Sequence, residues 1–312
     1  MSAESDALVA ENLVRRFGKN EAVRGISFTI PRGELYGLVG PDGAGKTTTL
    51  RMLAGLVRPT SGSVRVLGID PFGRGSAKVR DALGLVPQEH SLYGDLSIEE
   101  NLDFFRSLYG LSSKDYAARR ARLLEITRLA SFLARRASQL SGGMYKKLAL
   151  SCALLHQPDV LLLDEPTNGV DPVSRRELWE LIYEFVAQGM CVVVSTPYMD
   201  EAARCHRVAL VHAGTVLREG APSALVRDFA GTTAEIDGGD RDALYALVSS
   251  MAEIVAASPA GAKLRVVIVP GGQPAVAAKV AALGARLVPS PPDFEDLFLY
   301  EIAAATPARS AA

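Results

Sequence analysis

The segment GPDGAGKT, residues 40–47, follows the apolar run LYGLV and leads into KTTTLRMLAGL. Gly40, Pro41, Asp42, Gly43, Ala44, Gly45, Lys46, Thr47 and Thr48 meet the spacing G-x-x-x-x-G-K-[ST], with an expected strand before and an expected helix after, as this P-loop pattern requires. The chemistry it serves is polyphosphate binding. Glycines let backbone N–H groups turn toward phosphate, a helix N-terminus adds positive dipole, Lys46 reaches the outer phosphates and the Thr47 hydroxyl suits magnesium. A glycine- and proline-rich turn that happens to carry a lysine meets the bare pattern too, but not its flanking elements.

Three further segments matter only in company with the first. VLLLDEP ends an apolar run on Asp164 and Glu165. The first carboxylate can hold a metal's water shell, and the second can orient or deprotonate an attacking water. Taken alone, the pair is an acidic helix cap. LSGGMYKKLAL offers Ser141, Gly142 and Gly143 just before a helix, a hydroxyl and bare N–H groups that suit an anion but that alone amount to a cap. Gln88 in LGLVPQEHSLY is, by itself, a strand-end surface amide.

These segments need elements to hold them. The first forty residues alternate, LVAENLVRRF and then AVRGISFTI, the pattern of antiparallel strands. After Gly45, Leu50, Leu53, Ala54 and Val57 recur at helical spacing. Residues 99–155 carry helical periods and no strand signal, a helical insertion taken as about 89–155. Its Arg119, Arg120 and Arg122 sit among alanines and leucines at helix spacing and mark a solvated face. VLLLDEP and CVVVST are continuous apolar runs joined by PVSRRELWELIYEFVAQG, which predicts a parallel sheet covered on both faces. From about Thr232 the composition shifts to alanine, valine and glycine, with strands expected at TAEID and KLRVVIV and helices at RDALYALVSSM and PAVAAKVAAL. The expected organisation is therefore an α/β domain over 1–225 and a small α+β domain over 226–312.

With 312 residues the chain can hold one full core and a smaller appendage. Lys plus Arg total 34 against 35 for Asp plus Glu, so no net field draws it to nucleic acid or anionic lipid. Cys152, Cys191 and Cys205 have no metal-ligand spacing and fit a reducing, cytosolic setting. MSAESDALVAENLV lacks a secretory pattern, and no apolar run approaches the ~18–20 residues of a membrane span. A soluble chain is expected.

Taken in order, GPDGAGKTT, VPQE, LSGGM, VLLLDEP and GVDP resemble the nucleotide-binding subunit of an ABC transporter over residues 10–220. The resemblance implies a RecA-like P-loop NTPase core with an N-terminal antiparallel β subdomain, and an ATPase working with ATP and Mg2+. It implies that Phe17 stacks on adenine, that Gln88 touches magnesium and senses a membrane partner, and that Lys46 and Glu165 serve hydrolysis. Thr47, Gln88 and Asp164 would hold the metal. Ser141 to Met144 would cap the ATP of an opposite subunit, and Asp171 would contact that neighbour. LYGDLSIEENLDFF, STPYMDEA and the FEDLF of PPDFEDLFLYE are similar to the subgroup that energises daunorubicin-resistance-type exporters. That implies a separate transmembrane permease, a second ATP-binding subunit in a homodimer or heterodimer, no nucleic acid, and a cytoplasmic place on the inner face of the membrane. A soluble ABC ATPase of translation or DNA repair is the rival; the single cassette, without a long coiled-coil insertion or basic tract, opposes it.

The chain departs from the family pattern at one telling position. Where the family has histidine, in phrases similar to STHYMDEA, this chain has Pro197. The flanking Ser195, Thr196, Tyr198, Met199, Asp200 and Glu201 match, and His90, His156, His206 and His212 are not placed to substitute. Proline has neither a side-chain donor nor an N–H, and losing one preorganised donor typically costs about 10² to 10³ in rate. The expectation is that ATP binds while hydrolysis at this site is slow, or that the chain is a near-inactive partner of a histidine-containing subunit. Asp42 replaces the family's asparagine with little expected effect, and Met144 replaces the commoner glutamine.

Overall fold

The computed structural model describes residues 6–89 and 91–305; His90 and the two chain ends lie outside the described residues. The chain forms two compact units, Met1–Tyr198 with Val211–Val216, and Met199–Leu210 with Leu217–Ala312. These interleave along the chain and so do not follow the linear division at 225/226.

Strand β1 (Asp6–Phe17) pairs antiparallel with β2 (Asn20–Pro31) across a tight turn. In β2, Val23, Ile26, Phe28 and Ile30 are buried while their neighbours face out, the alternation of a one-sided sheet. Strand β3 (Leu35–Val39) is buried along its whole length, as are two later strands. Helix α1 (Lys46–Leu53) ends four residues short of the apolar periodicity, because Ala54 is its C-cap and Gly55 follows in the left-handed region at φ 72°. Strand β4 (Ser61–Val66) completes the sheet β2-β1-β4.

Helix α2 (Ser76–Ala82) leads directly into β5 (Leu83–Val86). The helical insertion follows as α3 (Ile98–Leu108), α4 (Ser113–Thr127) and α5 (Gly142–Leu154). Ser97 and Glu100 form a reciprocal capping box on α3, which explains why SIEE starts that helix so sharply. Then come β6 (Val160–Asp164), α6 (Pro172–Ala187) and β7 (Cys191–Thr196). Strands β6 and β7 are fully buried, the mark of parallel strands covered on both faces. After α7 (Met199–Ala202) come β8 (Arg207–His212) and β9 (Thr215–Gly220), giving the six-stranded order β5-β6-β7-β3-β8-β9. In register, Asp164 lies beside Ser195 and Leu38 beside Ser195 from the other side. The C-terminal ends of β3, β6 and β7 therefore meet at one place, where ligands bind in open α/β sheets.

The second unit continues with α8 (Pro222–Arg227), β10 (Thr232–Gly238), α9 (Arg241–Ser249), β11 (Ile254–Ala260) and β12 (Lys263–Ile268). It closes with α10 (Gln273–Ala281), β13 (Ala285–Pro289) and α11 (Phe294–Ala305). The antiparallel order β11-β12-β10-β13 interleaves two βαβ units, the ferredoxin-like arrangement. Ala234, Ile236, Val248, Leu264, Val266 and Val280 are among its core residues. Strands β11 and β13 are among the elements that the sequence reading leaves unassigned, together with β4, α2, β9 and α8. IVAASPA and ARLVP have little strand propensity, and antiparallel pairing to β12 and β10 holds them.

Candidate functional site

Residues 40–47 run from the end of β3 into α1. A Cβ at Gly40 would lie 2.0 Å from the Val211 carbonyl oxygen, and one at Gly45, whose φ is 103°, would lie 2.5 Å from that of Ala22. Close backbone approach thus demands glycine at both. The loop encloses a cavity of about 380 Å³ lined by Phe17, Asn20, Ala22, the segment from Asp42 to Thr48, Gln88 and Glu165.

Lys46 Nζ donates to the Gly40 and Pro41 carbonyls at 2.7 and 3.0 Å and lies 3.7 Å from Glu165 Oε1. Burial pushes the lysine's pKa down and that of the glutamic acid up, each toward its neutral form, while their mutual attraction opposes both shifts. Asp42 points outward with its side chain 90% exposed, and reaches Lys46 only at 4.0 Å.

At the end of β6, Asp164 Oδ1 accepts from Thr47 Oγ1 at 3.1 Å and from Ser195 Oγ. Glu165 is held at φ 47°, a left-handed conformation that costs a non-glycine residue roughly 1–3 kcal/mol. Its N–H bonds the Ser195 carbonyl and hydroxyl, both at 3.1 Å. Its carboxylate accepts from Gln88 Nε2 at 2.7 Å and from Asn168 Nδ2 at 3.4 Å. The Thr47 hydroxyl, Asp164 carboxylate and Gln88 amide oxygen form an all-oxygen donor set, the kind magnesium takes.

Phe17 stands at the cavity rim, 47% exposed, with the Arg15 guanidinium 4.4 Å from its ring centre. Ser141, Gly142, Gly143 and Asp171 do not line this cavity; they pack on one another's elements instead. Ser141 Oγ accepts from Met144 N at 3.3 Å and caps α5. A Cβ on Gly142 would meet the Gly169 oxygen at 2.6 Å, and one on Gly143 the Ser174 side chain at 2.4 Å. Asp171 caps α6, accepting from Ser174 N at 3.0 Å and Val173 N at 3.1 Å, bonds that hold its carboxyl below the usual range.

Pro197 follows the last residue of β7, in a turn tied by Tyr198 N to Thr196 Oγ1 at 3.1 Å. Gly40 N bonds the Thr196 carbonyl at 3.2 Å, so this turn adjoins both the P-loop and Glu165. None of the described histidines lines the cavity; His156 stacks on Tyr109 at 4.0 Å. Ser195, Asn168, Asn20 and Ala22 carried no assigned role in the sequence reading. Ser195 had one available signal, a hydroxyl closing an otherwise apolar strand.

Residues 23–168 match the family described as ABC transporter. "Nod factor export ATP-binding protein I" of Paraburkholderia xenovorans (strain LB400) is 38% identical over 295 residues, 94% of this chain and 96% of that protein. "Probable multidrug ABC transporter ATP-binding protein YbhF" of Escherichia coli (strain K12) is 47% identical over 230 residues, 73% of this chain. That match spans only 40% of the relative's own length. Among solved structures, "Structure of ATP binding subunit of ABC transporter" aligns at TM-score 0.66 and 31% identity over 72% of this chain and 93% of that one. A dimeric ATP-binding cassette in a post-hydrolysis state with ADP and Pi aligns at TM-score 0.63 and 26% identity, over 69% and 98%.

Proposed function

The chain belongs to the ABC transporter family of ATP-binding proteins, and from that premise we propose that it binds and hydrolyses ATP with magnesium to drive a membrane exporter. The observation that carries this reading is the joining of Lys46, Thr47, Gln88 and Glu165 around one cavity, with Asp164 bonded to Thr47. Lys46 moves from the Gly40 and Pro41 carbonyls to the outer phosphates, and the loop N–H groups cradle the remainder. Phe17 stacks on the base. Thr47, Asp164 and Gln88 would hold magnesium, which when bound neutralises charge developing on the transferred phosphoryl group. Glu165, its pKa raised by burial, orients the attacking water and accepts its proton.

Ser141 to Gly143 and Asp171 serve a second copy or a second cassette subunit in a head-to-tail dimer; their exclusion from this chain's own cavity supports that assignment. Among the described residues no helix is long and apolar enough to cross a membrane, and a separate permease supplies the pathway, with the chain peripheral on the cytoplasmic face. The names of the exporter relatives favour export.

Pro197 favours slow hydrolysis within this scheme, or a regulatory cassette paired with a histidine-containing subunit. Steady-state ATPase of the purified chain and of Pro197→His tests it. We expect a rise of about 10² in turnover with unchanged ATP affinity, the size of one restored preorganised donor. Equal rates would remove Pro197 from the mechanism. Loss of ATP binding in both proteins would overturn the function itself.

A further inference from the structure

We propose that Tyr145 and Lys146, the two residues of α5 that follow the Ser141–Met144 segment, are positioning residues that tie this helix to Gln88 and, through Gln88, to Glu165. The inference rests on the functional reading above. Lys146 Nζ donates to the Gln88 carbonyl at 2.8 Å, and Tyr145 Oη accepts from Leu92 N at 3.2 Å. Two consecutive residues of one helix thus hold the backbone at Gln88 and at Leu92. Gln88 in turn reaches Glu165 with its own amide, Nε2 to Oε2 at 2.7 Å. The path from α5 to the carboxylate consists of two hydrogen bonds and the side chains of Lys146 and Gln88.

Lys146 is 8% exposed, and a buried ammonium is costly unless it is paired or hydrogen-bonded. Its placement is therefore specific. The carboxylates of Asp164, Glu165 and Glu89 all act on it electrostatically. A groove of about 570 Å³ runs between the helix and the strand end, with Gln88, Glu89, Leu92, Tyr145, Lys146 and Asn168 along its walls.

The N-terminus of α5 cannot shift freely against its neighbours. Gly142 and Gly143 already sit so close to Gly169 and Ser174 that a single added methyl would overlap them. A displacement of that segment, such as engagement with nucleotide on a facing subunit would produce, is passed down α5 to the Gln88 carbonyl. With the tie intact, Gln88 keeps the register from which its amide holds Glu165. With the tie cut, nucleotide still finds the P-loop and Phe17, but the carboxylate loses its positioned neighbour. The consequence falls on turnover and not on the affinity for ATP without metal.

The test compares the full chain with Lys146→Met, Lys146→Arg and the near-isosteric Tyr145→Phe. It measures ATP affinity in the absence of magnesium, steady-state ATPase, and hydrogen exchange of the peptide spanning residues 84–92. Lys146→Met should lower kcat about tenfold or more, the effect of losing a hydrogen bond with a charged donor, with ATP affinity within twofold of the parent. Lys146→Arg should restore kcat to within about threefold, because it keeps a donor at similar reach. Tyr145→Phe, should Lys146→Met fail to fold, should raise exchange in the 84–92 peptide and lower kcat by about two- to fivefold, the effect of one neutral hydrogen bond. Unchanged exchange in that peptide, an arginine variant no better than the methionine one, or equal losses in affinity and turnover would each overturn the proposal. Failure of the parent chain to bind MgATP would instead overturn the functional reading, and the exchange measurement would still decide whether the tie exists.

Discussion

Asp164 Oδ1 receives two hydroxyl groups, Thr47 at 3.1 Å and Ser195, and Ser195 Oγ also accepts the Glu165 N–H at 3.1 Å. One serine thus orients the carboxylate assigned to the metal and the backbone of the carboxylate assigned to water. Partners behind a metal ligand typically set 10–100-fold of metal affinity. Ser195→Ala should accordingly raise the magnesium concentration needed for half-maximal nucleotide binding by about tenfold, while binding of ATP without metal stays unchanged. Titrating magnesium against a fluorescent ATP analogue measures it, and an unshifted midpoint would refute the role. The P-loop was legible because its residues are consecutive and its spacing is set by the phosphate it cradles. Ser195 and Lys146 were not, because their partners stand 31 and 58 residues away in the chain. Strand register and helix packing, not local spacing, bring those groups together.

Helices α4, α5 and α6 are joined through one carboxylate. Glu177 on α6 accepts from Lys147 on α5 and, at 2.9 Å, from Arg128 at the C-cap of α4. The Lys147 bond, with the positive charges of both partners, holds the Glu177 carboxyl below its usual range. A depressed folded pKa means that the unfolded chain takes up this proton first as pH falls. The stabilisation is therefore complete above the ordinary glutamate value of 4.5 and is lost as pH drops through the lower folded value. Glu177→Gln should flatten that acid limb of a plot of unfolding temperature against pH, with little change in its slope near pH 7; an identical acid limb would contradict the assignment. At this scale the sequence spoke clearly where periodicity was long. It placed the α6 stretch and the buried runs of β6 and β7, but ran α1 past Gly55, where a left-handed residue ends the helix. It left β11 and β13 unassigned because Ala, Ser and Pro dominate IVAASPA and only cross-strand partners make it a strand.

Across the whole molecule, each unit has its own core and its own polar anchor. In the second unit, Arg265 on β12 donates to both Asp296 carboxylate oxygens, with Nε at 3.0 Å from Oδ1, and to the Pro291 carbonyl at 2.8 Å. Asp296, with 4% of its side chain exposed, also accepts from Asp293 N at 2.8 Å, and Asp293 returns the bond through its own carboxylate at 3.0 Å. The FEDLF segment was thus recognisable in sequence, but its reason is visible only here: the aspartate closes the helix start and fastens α11 to the sheet. Arg265→Met should destabilise this unit by about 2–3 kcal/mol, since hydrogen bonds to charged groups are worth ~1.5–3 kcal/mol. Amide exchange along α11 should speed up accordingly, and unchanged protection there would show that the anchor is dispensable.

The interleaving of the two units also bears on inheritance. The chain passes from one to the other after Tyr198, back at Val211 and out again after Val216. The short returning stretch is no spectator: Gly214 N bonds the Ala44 carbonyl at 2.9 Å, and the Val211 oxygen closes over Gly40. A truncation at 198 would strip these contacts from the P-loop, and one at 216 would strand residues 199–210 without the rest of their unit. Recombination between relatives can therefore exchange the terminal part cleanly only when both halves of the graft come from the same parent.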